Sequence, residues 1–128
     1  MAIVDLYFIN ASLTDPFEKG VWSSYLAVDD NVTAKVGGSQ ANAYPVSFMT
    51  TRVTTVGSAA DSIKLPLSSG GLFLTIANAA GVNAMNVFPQ TGEQINALGA
   101  NVALSIPAGK ACFFVATSKG QWHSVLSA

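Results

Sequence analysis

The chain has 128 residues, half of them hydrophobic and only 10% charged, against about 25% charged in a typical soluble domain. Its formal net charge is -1, and its six cations, Lys19, Lys35, Arg52, Lys64, Lys110 and Lys119, are scattered, which excludes the cation cluster that nucleic-acid binding needs. Cys112 is the only cysteine, which excludes an intramolecular disulfide, and no apolar run approaches the roughly 20 residues that a membrane-crossing helix needs.

In chain order, residues 1–43 are the less regular part. Val4, Leu6 and Phe8 alternate as in a strand. No basic leader precedes the apolar residues after Met1, so this N-terminus is not read as a secretory signal. Asn10-Ala11-Ser12 and Asn31-Val32-Thr33 fit the glycosylation pattern and are taken as chance matches. Asp15-Pro16 reads as a turn. From Val21 to Val28 the spacing fits either a helix or a strand, and a strand is favoured. The small residues of 37–43 read as a flexible or extended connector.

Residues 44–128 read as the folded module. Tyr44 to Val56 is rich in β-branched residues and predicts one long strand. Ile63, Leu65 and Leu67 alternate with Lys64 and Pro66. Pro66 cannot donate to a ladder, so this strand is expected to lie at an edge or to end there. Leu72, Leu74 and Ile76 share a face opposite Phe73, Thr75 and Ala77. Further strands are predicted over 85–88, 95–98, 102–106 (Val102, Leu104 and Ile106 on one face), 112–117 (Phe113 and Val115 opposite Phe114 and Ala116) and 121–126. Each gap carries turn residues: Pro89–Gly92, Gly99–Asn101, Pro107–Gly109 and Ser118–Gly120. About eight strands at this spacing predict an all-β fold, an antiparallel β-sandwich or jelly-roll-like barrel. The segment 1–43 is either an arm or the completion of that fold.

No constellation of residues points to chemistry. One His and one Cys, away from ligand spacing, do not make a zinc site. Asp29-Asp30-Asn31 is the nearest approach to a calcium loop and lacks the terminal Glu. His123 is the only histidine. It is read as a strand-end residue hydrogen-bonded to a neighbour, because no triad partners accompany it. Glu18, Glu93 and the aspartates could be paired on paper for glycoside cleavage, but sequence does not fix the carboxylate separation that mechanism needs. Gly37-Gly38 and Gly70-Gly71 read as turns, since neither opens a phosphate-cradling helix. Cys112 is read as a buried inert thiol. Trp122 is read as a core anchor, with a sugar-stacking platform as the alternative. Catalytic, metal and cofactor-binding residues are therefore all expected to be none.

Asp61-Ser62-Ile63-Lys64-Leu65-Pro66, Leu74-Thr75-Ile76-Ala77-Asn78, Asn86-Val87-Phe88-Pro89, Gly92-Glu93-Gln94-Ile95-Asn96, Ala108-Gly109-Lys110 and Gly120-Gln121-Trp122-His123-Ser124 occur in that order. With these pieces the chain from Arg52 onward resembles small β-rich structural proteins of tailed bacteriophages, of the head-decoration or fibre type. The resemblance implies a non-enzymatic virion component, with capsid decoration or cement first and a tail-associated or fibre module, host- or glycan-binding, second. A small enzyme or a lectin comes third. The implied partner is the major capsid protein lattice, and the implied location is the capsid surface after synthesis in the host cytoplasm. No nucleic acid or membrane partner is expected. A surface poor in charge is cheap to desolvate, so a homo-oligomer is expected. The resemblance to proteins at capsid threefold positions puts a trimer before a dimer.

Overall fold

The computed structural model describes residues 27–128, and all of its regular structure is β. Ten strands occur in this order: β1 Val28–Thr33, β2 Tyr44–Pro45, β3 Thr50–Thr55, β4 Ser62–Lys64, β5 Phe73–Asn78, β6 Met85–Phe88, β7 Gln94–Ile95, β8 Leu104–Ile106, β9 Ala111–Ser118 and β10 Gln121–Leu126. They form a six-stranded sheet in the order β1-β3-β5-β9-β10-β7 and a four-stranded sheet in the order β2-β4-β6-β8. From β1 to β8 each strand therefore lies in the opposite sheet from the one before it.

This alternation makes the first two-thirds of the fold a β-solenoid. The chain runs along one sheet, turns a corner, runs along the other and returns one position further on. Parallel pairing needs a long crossover between partners, and here each crossover contains a strand of the facing sheet. β1 pairs in parallel with β3 and β3 with β5. In the other sheet β2 pairs in parallel with β4 and β4 with β6. After β6 the chain reverses. β8 lies antiparallel on β6, β9 antiparallel on β5, and β10 antiparallel on β9. β7 closes the larger sheet as a parallel neighbour of β10.

The expected all-β class holds. The expected antiparallel sandwich or jelly-roll-like barrel is corrected to a mixed, coiled arrangement, because five of the eight strand pairings are parallel. Period-two alternation reports which face a strand buries and is silent on the direction of its neighbour.

The core lies between the sheets. Val53, Leu74, Ile76, Ile95, Phe114 and Trp122 from the larger sheet meet Ile63, Met85, Val87 and Ile106 from the smaller one. Each large aliphatic side chain buried this way contributes about 1.5–3 kcal/mol relative to leaving it exposed. The alternation read in β5 and β9 is the one observed. Leu74, Ile76, Phe114 and Ala116 are buried, whereas Phe73 and Phe113 face outward.

Other expectations change in detail. Tyr44 to Val56 is two strands in different sheets. The chain pairs as far as Pro45, crosses through residues 46–49 and starts again at Thr50. β4 ends before Pro66 as expected, yet it is internal, between β2 and β6. Leu65 N–H still donates to Phe88 O at 2.8 Å, so Pro66 falls just past the last bond it would have broken. Of the N-terminal segment 1–43, the pattern at Val4, Leu6 and Phe8 and most of 21–28 lie outside the described residues. Val28–Thr33 lies within that segment and forms the edge strand β1.

A buried amide holds one corner. Asn78 is 1% exposed. Its Nδ2 donates to Asn83 O at 2.9 Å and to Ile106 O at 3.0 Å, and its Oδ1 accepts from Ala80 N. The side chain thus replaces the ladder where the chain leaves β5, and it satisfies carbonyls that burial would otherwise leave unpaired.

Candidate functional site

The acidic pair near the start of β1 is committed to structure. Asp30 Oδ1 accepts from Arg52 at 2.9 Å, and this bond holds its carboxyl below the usual carboxylate range. Asp29 Oδ2 accepts from Tyr44 O–H at 2.8 Å, and that carboxylate pushes the Tyr44 phenol upward. Asn31 sits at φ 58, where the register of β1 against β3 slips, and its Oδ1 accepts from Thr54 Oγ1 at 2.9 Å. The bulge and its charges blunt this edge strand.

Glu93 is 7% exposed and joins three turns. Its carboxylate accepts from Ser68 N at 3.2 Å and from Ser68 Oγ at 3.0 Å. Ser68 Oγ in turn accepts from Gly120 N. The on-paper pairing of Glu93 for glycoside cleavage therefore meets a carboxylate tied to a serine and a backbone turn. Its paper partner Glu18 lies outside the described residues.

Cys112 is 1% exposed. Burial pushes its thiol up, opposed by the Ser124 side chain and the Val125 backbone. Trp122 is 0% exposed, so it is a core anchor, and the sugar-stacking alternative at this residue is overturned. Gly37, Gly38 and Gly71 have positive φ and serve turns. His123 lies mid-strand in β10, its backbone opposite Val115. Its ring is exposed, and no side-chain hydrogen bond is found for it among the described residues.

Two surface features remain, both on the outer face of the larger sheet. The first is an apolar strip. Val125 is opposite Phe113, and Phe73 is opposite Val115. The rings of Phe73 and Phe113 lie 5.7 Å apart in a tilted arrangement. Phe113 is 41% exposed and Val125 68%. No residue of β5, β9 or β10 on this face is a carboxylate, a lysine or an arginine. Sequence alternation exposes such residues one strand at a time; the pairing of β5, β9 and β10 is what gathers them.

The second is a hollow of about 580 Å³ lined by Gln94, Asn96, Ala97, Gly99, Gln121 and His123. Parallel pairing sets Gln94 beside Gln121. Gln94 Nε2 donates to Gln121 Oε1 at 2.6 Å, and Gln121 Nε2 donates to Asn96 O and Trp122 O. Asn96 Nδ2 donates to Ser124 Oγ at 2.9 Å, and its Oδ1 accepts from Ser124 N at 2.9 Å. Sequence reading had no signal for this site. Its two halves lie more than twenty residues apart, and polar residues at strand ends are ordinarily solvated.

Protein-family models, curated proteins and solved structures give no match to this chain.

Proposed function

We propose that this chain is a non-enzymatic virion structural protein that decorates and stabilises a bacteriophage capsid by bridging neighbouring capsid subunits. The observation that carries the reading is the outward strip of Phe113, Val115 and Val125, on a part of the sheet face where β5, β9 and β10 hold no carboxylate, lysine or arginine. Such a face loses little hydration when covered, and exposed apolar strips mark protein–protein contact. The resemblance of the sequence from Arg52 onward to small tailed-phage structural proteins of the head-decoration or fibre type supports a virion role. Bridging gains from multivalency, because a first contact raises the effective concentration for the second.

The test compares particles with and without the chain. Particles lacking it are expected to assemble but to break at lower temperature or under weaker osmotic shock. Added protein is expected to restore resistance, because a ligand that binds only the intact lattice stabilises it by mass action. Equal robustness of the depleted particles would overturn the role.

A second reading is a tail-associated or fibre module with host or glycan binding. The parallel coils of β1 to β6 favour it, since stacked coils are a quasi-one-dimensional architecture suited to extension. Gold labelling of intact particles separates the two readings: label over the head supports decoration, and label at the tail supports the fibre.

A further inference from the structure

The hollow between β7 and β10 combines a bare floor, fixed amides and a lining without carboxylates, lysines or arginines. Ala97 and Gly99 contribute almost no side chain to it. At Gly99 φ is 103, a conformation that side chains rarely adopt, so this part of the wall stays bare. None of the six lining residues is a carboxylate, a lysine or an arginine. The volume falls within the roughly 300–1,000 Å³ usual for small-ligand sites, in a shallow depression that is widely open to solvent.

The amides are positioned before any ligand arrives. Gln94 uses one N–H on Gln121, which leaves its second N–H and its carbonyl oxygen. Asn96 spends one N–H on Ser124 Oγ and keeps the other. Gln94 is fixed by one bond and Asn96 by two, and each still offers an N–H. Little side-chain entropy is then lost on binding. His123 adds an exposed imidazole that can donate and accept at the rim.

We infer that this hollow is a binding site for a neutral, hydroxyl-rich ligand, a saccharide of one to a few rings. An amide presents a donor and an acceptor side by side, which matches adjacent hydroxyls that each do both. An anionic ligand would find no lysine or arginine in the lining, and a cationic one no carboxylate. The bare Ala97 and Gly99 surface suits the C–H face of a sugar ring. The inference does not depend on the capsid role proposed above, because a decoration protein and a fibre module could both carry the site.

The test is a titration of the full-length, ¹⁵N-labelled chain followed by NMR. The probes are glucose, galactose, N-acetylglucosamine and maltotriose at millimolar concentration, with inorganic phosphate as the charged control. Saturable shifts are expected from at least one sugar at the Gln94 and Asn96 side-chain amides and at the His123 backbone amide, with none from phosphate. Ala97→Trp fills the hollow from an exposed position, so it is expected to weaken binding at least about tenfold while leaving the melting temperature unchanged. Gln94→Leu, which keeps the bulk and removes the amide, is expected to weaken it as well. No shift with any sugar would overturn the site. So would sugar shifts that survive Ala97→Trp, or equal shifts with phosphate.

Discussion

Trp122 shows how one residue can dominate a small core. It is the largest fully buried side chain among the described residues, and it lies on the strand that joins β9 to β7. Trp122→Ala is expected to destabilise by about 3–5 kcal/mol, read as a lowered denaturation midpoint. Its Nε1 has no hydrogen-bond partner among the described residues. Trp122→Phe removes that unpaired donor together with part of the ring, so it is expected to cost clearly less than the alanine change. A Trp122→Ala protein that melts like the parent would overturn the anchor role. Cys112, buried in the same core cluster, gives a pH signature. Its thiol is raised in the folded state, chiefly by burial. The unfolded chain therefore releases this proton first as pH rises, and above roughly 8.5 folding loses stability through it until the folded thiol also ionises. Native protein is expected to react with a thiol reagent only on unfolding. Rapid labelling of the native state at neutral pH would contradict the burial.

At the scale of elements, β7 is the informative strand. Two residues long, it closes the six-stranded sheet. Gln94 N donates to Gly120 O at 2.9 Å and Asn96 N to Trp122 O at 2.7 Å. The Asn96 side chain adds two bonds to Ser124 while its backbone sits at φ 53. Asparagine tolerates that left-handed conformation better than most residues. Asn96→Gly keeps the backbone at ease and removes the side-chain bonds, for an expected loss of about 1–2 kcal/mol. Asn96→Ala removes the same bonds and adds left-handed strain, so it is expected to cost about 1 kcal/mol more. Hydrogen exchange at the Gln94 and Asn96 amides is the direct readout, with faster exchange in both variants. The turns follow the same backbone logic. Gly92, Gly109 and Gly120, with Asn101, have positive φ at the places where Gly and Asn punctuate the sequence, which is why those strand ends were legible.

At the scale of the whole molecule, the solenoid has two different ends. One end carries β8, β9 and β10, which pair antiparallel, with β7 parallel beside β10. The other presents β1 and β2, where Asp30, Arg52 and Pro45 crowd the edges. A homo-oligomer is expected to use the outer sheet face instead, with identical subunits closing around a symmetry axis. Sedimentation at micromolar concentration is expected to show a trimer first, or a dimer. Phe113→Lys places a charge in the strip and is expected to shift the population toward monomer without changing the β-rich circular dichroism. A parent protein that sediments only as a monomer would count against a preformed oligomer.

The sequence by itself determined the all-β class, the faces of β5 and β9, the positions of most turns and the burial of Trp122 and Cys112. Each rests on local physics: period-two alternation, the φ preferences of Gly and Asn, and the cost of leaving a large apolar ring in water. It missed β1 beyond Val28, because Asp29, Asp30 and Asn31 read as a loop until Tyr44, Arg52 and Thr54 supply their partners. Tertiary structure alone decided the parallel coiling, the split of Tyr44–Val56 between two sheets, the apolar strip and the amide-lined hollow. All four depend on which distant segments become neighbours. Gln94 meets Gln121, and Phe113 meets Phe73 and Val125, only after the chain has crossed between the sheets, and alternation along one strand carries no information about the strand beside it.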